Sequence, residues 1–155
     1  MRIPTLFLAK LWLSSILAFL VSASVWADEE PLDAGQAFEL ASARPDADAI
    51  RLSWNISSGY YLYRQKFKFV SLTPGTTVGA PQFPTGQTWQ DSNLGRVEIY
   101  RDHLELELPL RRQDDQSATL RLEITYQGCA DSGFCYLPIH KTLEFDRPII
   151  PDAQR

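Results

Sequence analysis

The segment IRLSWNI (Ile50–Ile56) alternates apolar and polar side chains along its whole length. Because successive side chains of a β-strand point to opposite faces, this period of two predicts a strand with one buried face. The same alternation returns at Leu104–Leu110 and Leu120–Tyr126, and Leu143 and Phe145 indicate a last strand. Turn-forming residues separate these runs at Ser57-Ser58-Gly59, Thr73-Pro74-Gly75, Pro84-Thr85-Gly86, Asp91-Ser92-Asn93 and Gln113-Asp114-Asp115. Strands at a spacing of about ten residues are typical of an all-β, immunoglobulin-like sandwich of two sheets.

The remaining segments fit this prediction. Residues 36–43 read equally well as a short helix or an early strand. Tyr60–Tyr63 predicts an aromatic strand, which Phe67, Phe69 and Ser71 are expected to continue on one face. Trp54 and Trp89 are expected in the core, and Glu105 and Glu107 on a solvated strand face.

The N-terminus has the features of a signal peptide. Arg2 and Lys10 are basic, Leu11–Val21 is an apolar core, and Val25 and Ala27 fit the small-residue positions of a cleavage site. A membrane anchor is the competing interpretation, but the uncharged stretch of about seventeen residues is at the lower limit for a spanning helix. We therefore predict a signal peptide at residues 1–27 and export to the periplasm.

One domain at residues 28–146 is expected after cleavage, followed by a tail or linker at 147–155. Removal of residues 1–27 takes away Arg2 and Lys10 and no acidic residue, so the formal net charge falls from −4 to −6. This charge argues against nucleic acid as a partner, because binding to phosphates requires clustered basic residues. The two cysteines of an exported chain are expected to pair.

Both cysteines lie in the segment YQGCADSGFCYLP (Tyr126–Pro138), between two predicted strands. Bridging Cys129 and Cys135 closes a loop of about seven residues, for which the chain-entropy model gives only about 2.4 kcal/mol of stabilisation. From the spacing alone, a disulfide that clamps a hairpin and a redox-active disulfide both stay open. A metal site with His103 and His140 lacks a recognised zinc spacing, so none is predicted. No nucleophile-elbow sequence supports a cysteine hydrolase.

Three blocks and the opening of the predicted domain resemble one family. YQGCADSGFCYLP is similar to the active-site segment of the N-terminal (alpha) domain of DsbD, the bacterial thiol:disulfide interchange protein. The further blocks are SGYYLYRQKFKF (Ser58–Phe69), GRVEIYRDHLELELP (Gly95–Pro109) and PLDAGQAFEL (Pro31–Leu40). The resemblance therefore covers nearly all of the predicted domain, in order.

That resemblance implies an immunoglobulin-like fold and a protein-disulfide reductase type of activity, with the Cys129–Cys135 disulfide in place of any cofactor. Cys135 would exchange with partners and Cys129 would resolve the mixed disulfide. The domain would relay electrons from a DsbD-type membrane donor to periplasmic thioredoxin-fold clients, namely a disulfide isomerase and the cytochrome c maturation thioredoxin. The alternative is a secreted immunoglobulin-like binding module with a purely structural disulfide.

The resemblance also implies an environment for the cysteines. Tyr61 and Tyr63 match tyrosines that line the family's site, and Phe134 and Tyr136 flank Cys135. These four aromatic residues have a plain alternative as core or cross-strand contacts.

The segment before the block Gly95–Pro109 matches the family's cap loop. Asp91 matches an acidic residue near the site, although aspartate is also a common turn residue. Ser92 stands where the family has a second acidic residue. Asn93 stands where the family has an aromatic residue that shields the disulfide, and Leu94 is expected to replace that residue in part. Asp91 and Asp131, if close to the cysteines, would disfavour a thiolate through like charge.

Overall fold

The computed structural model describes residues 30–46, 48–112 and 119–146, and β-strands make up most of these residues. A short helix α1 (Ala34–Ala37) comes first, and a 3-10 helix (Arg64–Lys66) lies between the third and fourth strands. The strands are β1 (Phe38–Pro45), β2 (Ala49–Ile56), β3 (Tyr60–Tyr63), β4 (Lys68–Ser71), β5 (Thr76–Val78), β6 (Gln87–Asp91), β7 (Gly95–Tyr100), β8 (His103–Arg112), β9 (Thr119–Tyr126), β10 (Gly128–Ala130) and β11 (Ile139–Asp146).

These strands form three antiparallel sheets. The first has the order β1-β2-β8-β5, the second β10-β3-β7-β6 and the third β11-β9-β4. In the first sheet, Leu52 on β2 lies opposite Leu106 on β8, and Trp54 lies opposite Leu104. This register aligns the apolar faces of two strands whose alternation the sequence shows, and it places both faces in the core.

The main core collects the apolar faces of all three sheets. Trp54 from the first sheet, Leu62 and Tyr100 from the second, and Leu122 and Ile124 from the third belong to one cluster of buried side chains. The prediction of an all-β, immunoglobulin-like sandwich is confirmed. Residues 36–43, for which helix and strand were both open, end α1 and then enter β1.

The second sheet buries side chains on both of its faces. Leu62 points into the main core, while its neighbours Tyr61 and Tyr63 join Val97 and Ile99 in a separate cluster on the opposite face. This division follows directly from the period of two along a strand. The aromatic strand β3 therefore serves the core and a second apolar surface at the same time.

Phe67 and Phe69 lie on one face as predicted, since both pack against the main core, although the 3-10 helix at Arg64–Lys66 leads the chain into the third sheet, where Phe69 lies opposite Ile124. One prediction in this region is wrong. Trp89 is not a core residue: it is 39% exposed, since β6 is an edge strand of the second sheet.

Several predictions fall outside the described residues. These are the signal peptide at 1–27, the tail at 147–155 and the turn at 113–115. Among the described residues, no helix is long and apolar enough to cross a membrane.

Candidate functional site: the cysteine hairpin

A short β-hairpin carries the two cysteines. Cys129 lies in β10, and it faces Cys135 as an antiparallel bridge partner with a Cα–Cα distance of 4.0 Å and a disulfide between them. The backbone N–H of Ala130 donates to the carbonyl of Phe134 (2.7 Å), and that of Tyr136 donates to Gly128 (3.1 Å). These hydrogen bonds flank the disulfide on both sides, so the hairpin has a backbone scaffold that does not depend on the S–S bond.

The turn between the cysteines is tied to the rest of the domain. Gly133 has a φ of 94°, a conformation that glycine adopts without steric cost, and its N–H donates to the Ala130 carbonyl (2.9 Å). The N–H of Asp131 donates to the carbonyl of Gly59 (2.7 Å), in the turn that precedes β3. The loop is therefore anchored to the same strand that carries the two buried tyrosines.

The two sulfur-bearing residues differ in accessibility. Cys129 is only 1% exposed, whereas Cys135 belongs to the exposed class, together with the turn residues that precede it. A thiolate from another protein must approach a disulfide sulfur along the S–S axis, so access decides which sulfur is attacked. Cys135 is the accessible member of the pair.

The buried cysteine rests on the second apolar surface of the domain. Cys129 lies opposite Tyr61 in the pairing of β10 with β3, and Tyr63 lies opposite Ile99 in the pairing of β3 with β7. With Val97, these residues form one cluster, which we call the cysteine floor. The sequence-predicted tyrosines and Cys129 are thus brought together.

A polar chain runs from Cys129 towards the solvent. The Tyr63 hydroxyl oxygen lies 3.5 Å from Cys129 Sγ, and the hydroxyl donates to the Asp91 carboxylate at 2.5 Å. Burial, followed by the hydrogen bond to Asp91, raises the pKa of Tyr63 well above its ordinary value. The hydrogen bond from Tyr63 lowers the pKa of Asp91, and the backbone N–H groups of Leu94 and Asn93 add to this effect. The tyrosine therefore stays neutral and Asp91 ionised at neutral pH.

Asp91 also shapes the turn that matches the family's cap loop. Its Oδ1 accepts hydrogen bonds from the N–H groups of Asn93 and Leu94, each at 2.8 Å. Asp91 is thus a turn residue whose carboxylate also accepts the hydrogen bond from Tyr63. Asn93 is exposed and Leu94 is 45% exposed, and Cys135 is exposed as well.

Arg101 is a residue of this region that sequence reasoning missed. Its guanidinium donates to both carboxylate oxygens of Asp131, at 3.0 and 2.8 Å. It also lies over the ring of Tyr61 (5.0 Å) and the ring of Trp89 (5.1 Å). The charge of Asp131 is therefore paired, which corrects the expectation that both Asp91 and Asp131 oppose a thiolate. The Arg101–Asp131 contact joins the residue after β7 to the residue after β10, 30 positions apart, so no local sequence pattern indicates it.

The outer side of the hairpin is apolar and exposed. Phe134 is 48% exposed and Leu137 is 85% exposed, on either side of Cys135 and Tyr136. The Phe134 ring packs edge-on against Tyr136 at 4.9 Å, and the Tyr136 hydroxyl donates to the Leu32 carbonyl. Burial raises the pKa of Tyr136 to about 12. Phe134 and Tyr136 thus link the exposed cysteine to the N-terminal segment.

A cleft and several polar side chains lie outside the cysteine hairpin. A cleft of about 1040 Å³ is lined by Arg64, Phe83 and Glu98 and by neither cysteine. His140 Nδ1 contacts the Thr125 hydroxyl at 3.1 Å. Within the described part of the chain, no group of three or more side chains is arranged to hold a metal ion. Among the described residues, the Cys129–Cys135 disulfide is therefore the candidate reactive group.

Comparison with protein families identifies the relationship. Residues 28–147 match the family model described as "Thiol:disulfide interchange protein DsbD, N-terminal". The chain belongs to the DsbD N-terminal domain family. The resemblance seen in the sequence motifs is confirmed.

Curated relatives agree with this family. The chain is 38% identical to the DsbD of Klebsiella pneumoniae over 113 residues, which is 73% of this chain and 18% of that protein. It is 37% identical to the DsbD of Escherichia coli O157:H7 over 153 residues, which is 98% of this chain and 25% of that protein. The chain therefore spans 18–25% of the length of these DsbD proteins.

Solved structures support the same fold. The reduced DsbD N-terminal domain of Neisseria meningitidis superimposes with a TM-score of 0.65 at 26% identity, covering 75% of this chain and 90% of that one. The complex between the DsbD N-terminal and PilB N-terminal domains of the same organism matches with a TM-score of 0.60 at 25% identity, covering 74% and 87%. The periplasmic domain of ScsB from Proteus mirabilis shares the fold alone, at 14% identity and a TM-score of 0.54.

Proposed function

We propose that this domain performs thiol–disulfide exchange, with Cys135 as the sulfur that bonds to partners and Cys129 as the sulfur that resolves the mixed disulfide. The observation that carries the proposal is the asymmetry of the pair: Cys135 is exposed, whereas Cys129 is 1% exposed on the cysteine floor. An incoming protein reaches only the outer sulfur, and the inner sulfur stays directly behind it.

The exchange conserves atoms and electrons. In the reductive direction, the Cys135 thiolate attacks a client disulfide, and one client sulfur leaves as a thiolate that takes up a proton. Cys129, after losing its proton, then attacks Cys135 Sγ. The Cys129–Cys135 bond forms and the bond to the client breaks, so the client gains two electrons and two protons as a dithiol.

The polar chain below Cys129 supports a resting thiol. Because the Tyr63 hydroxyl donates its proton to Asp91, its oxygen faces Cys129 as an acceptor. A Cys129 thiol can donate to that oxygen, whereas a thiolate would face its lone pairs and the Asp91 charge beyond. The reduced site would therefore hold its protons until a partner docks.

The rim of the site suits a protein partner. Phe134 and Leu137 expose apolar surface beside Cys135, and large apolar side chains exposed together commonly mark interaction sites. For Neisseria meningitidis, a complex of the DsbD N-terminal domain with a PilB domain has been solved. We propose periplasmic thioredoxin-fold proteins as the clients here and a DsbD-type membrane protein as the electron donor, which makes the domain a protein-disulfide reductase within a relay.

The binding-module alternative predicts a different outcome in one experiment. The reduced Cys129→Ala variant, which keeps the Cys135 thiol alone, is mixed with a periplasmic disulfide isomerase whose resolving cysteine is replaced by alanine and whose other active-site cysteine carries a thionitrobenzoate group. Attack by Cys135 releases thionitrobenzoate, and we expect the mixed disulfide to accumulate because neither protein then has a second sulfur to resolve it. The matched control is the reduced Cys135→Ala variant, whose remaining thiol is buried and should give no adduct.

Each result has a clear meaning. Adducts from Cys129→Ala alone support both the exchange function and the roles of the two sulfurs. Adducts from Cys135→Ala alone would reverse the roles. If neither folded variant forms an adduct, the disulfide is structural and the binding-module alternative replaces the proposal.

A further inference from the structure

We propose that Arg101 is a positioning residue for the resolving step, which keeps the cysteine hairpin seated on the cysteine floor after the disulfide has opened. This inference rests on the proposed exchange function. Arg101 touches neither sulfur in the contacts described, so it would act through the loop that it holds.

Arg101 contacts both parts of the site that must stay close in the resolving step, namely strand β3 beside Cys129 and the turn that leads to Cys135. One face of its guanidinium is stacked on Tyr61, the residue directly opposite Cys129 in the strand pairing. Its N–H groups donate hydrogen bonds to the carboxylate of Asp131, the second residue after Cys129 in the turn that leads to Cys135. The same planar group therefore fixes the floor under one cysteine to the loop that carries the other.

This ion pair differs from an ordinary surface pair. Exposed ion pairs contribute little because two flexible side chains must be ordered in water. The Arg101 side chain is only 18% exposed and lies over the adjacent rings of Tyr61 and Trp89, with a further hydrogen bond to the Tyr60 carbonyl at 3.4 Å. A guanidinium that is already ordered loses less conformational entropy than a freely moving one when it forms bidentate hydrogen bonds to a carboxylate.

Backbone hydrogen bonds also fix the conformation of the chain around Arg101. Arg101 directly follows β7, in the tight turn to β8, where the N–H of His103 donates to the Arg101 carbonyl at 2.6 Å. The next residue, Asp102, has a φ of 60° and is the one non-glycine residue with positive φ in residues 30–46, 48–112 and 119–146. Its carbonyl accepts a hydrogen bond from the N–H of Ile56 at 2.8 Å, which ties the turn to β2.

The chemical consequence concerns the mixed disulfide. Once Cys135 is bonded to a client, the cross-link to Cys129 is gone, and the loop is held by its backbone hydrogen bonds and by Arg101. Cys129 must then attack Cys135 Sγ within the molecule, a step whose rate depends on how closely the two sulfurs are kept together. Loss of the Arg101–Asp131 contact should let the loop move away from the floor and slow this step.

The test uses the reduced domain and the chromogenic disulfide dithiobis(nitrobenzoate). Cys135 attacks the reagent and releases a first thionitrobenzoate at a rate that depends on reagent concentration. Cys129 then attacks Cys135 and releases a second one at a rate that does not. For Arg101→Gln we expect the second phase to slow by about tenfold, with the first phase changed by less than about twofold.

A matched control separates positioning from general destabilisation. Arg64 also pairs with a carboxylate, Glu98, and lies over an aromatic ring, that of Phe83 at 5.4 Å, but it lines the cleft that contains neither cysteine and it does not contact the cysteine turn in the described interactions. Arg64→Gln should leave both phases unchanged. Arg101→Lys keeps the positive charge but loses the planar guanidinium, so its second phase should stay as slow as that of Arg101→Gln. A second phase restored to the wild-type rate by lysine would show that charge alone suffices and would overturn the positioning role.

An equilibrium measurement covers the case in which the second phase is too fast to resolve. The equilibrium constant for oxidation of the domain by glutathione reports the effective concentration of one thiol at the other, and it should fall about tenfold in Arg101→Gln. An unchanged second phase or, where that phase is not resolved, an unchanged equilibrium constant overturns the inference, as does an equal effect in Arg64→Gln. None of these readouts requires a protein client, so a failure of client exchange would be seen separately.

Discussion

Replacement of Gly128 by alanine should be the most damaging single-methyl change near the site. A Cβ at this position would lie 2.3 Å from the Tyr61 carbonyl oxygen and 2.6 Å from Cζ of Phe38. Both distances are far below van der Waals contact, and one of the two atoms belongs to the backbone. Strands β10 and β3 would have to separate by about an ångström, because neither neighbour can rotate away.

The size of the effect follows from the contacts that this separation breaks. Overpacking a buried site costs about 1–3 kcal/mol. The separation also strains the hydrogen bonds from Tyr63 N–H to the Gln127 carbonyl and from Tyr136 N–H to the Gly128 carbonyl, both 3.1 Å. At about 1 kcal/mol each, the total reaches about 3–5 kcal/mol. For a domain of this size, that corresponds to a fall in Tm of about 10–20 °C.

Urea unfolding of the oxidised and the reduced domain provides the assay. The loss should be similar in both redox states, since the clash involves no sulfur. The control is Gly35→Ala in α1, where an added Cβ meets no atom within 4 Å and should change the stability by less than about 1 kcal/mol. A Gly128→Ala variant as stable as the wild type would refute the reasoning.

Two further predictions concern ionisation. Asp91→Asn removes the negative charge next to Tyr63 and weakens the hydrogen bond that holds the Tyr63 hydroxyl proton, so the pKa of the Cys129 thiol should fall. This pKa is measured by thiolate absorbance in a Cys135→Ala background. An unchanged or higher pKa would contradict the role of the Tyr63–Asp91 contact. The hydrogen bond from Arg64 lowers the pKa of Glu98, so this group adds stability above its unfolded pKa of about 4.3, and that stability is lost as the pH falls through the folded pKa. Glu98→Gln should therefore flatten the acid side of the stability–pH curve, and an unaltered curve would rule this contribution out.

Local pattern was enough to predict much of the fold. The alternation at Ile50–Ile56 and Leu104–Leu110 correctly gave two central strands, because a strand with one buried face imposes a period of two. The same pattern could not say which sheet a strand joins. Strand β4 is an example: it joins the third sheet and not the sheet of β3, because the 3-10 helix between the two strands redirects the chain.

The candidate site shows the same limit. The cysteines and Tyr61 and Tyr63 were found through a family motif, and the structure brings Cys129 and both tyrosines into one cluster. The exposure of Trp89 depends on its edge strand, and the role of Arg101 depends on a contact with Asp131 across 30 positions. Such properties arise from tertiary arrangement, which periodicity and spacing do not encode.

The two-faced strand β3 has a consequence for how the sequence of such a domain can change. Leu62 packs in the main core, while Tyr61 and Tyr63 pack on the cysteine floor, and the sheet itself separates the two clusters. Substitutions on opposite faces share few partners, so their free-energy effects should be close to additive. Mutations on the cysteine floor that alter the exchange chemistry should therefore leave the free energy contributed by the main core largely unchanged. The reactive surface can diverge in sequence while the scaffold is conserved.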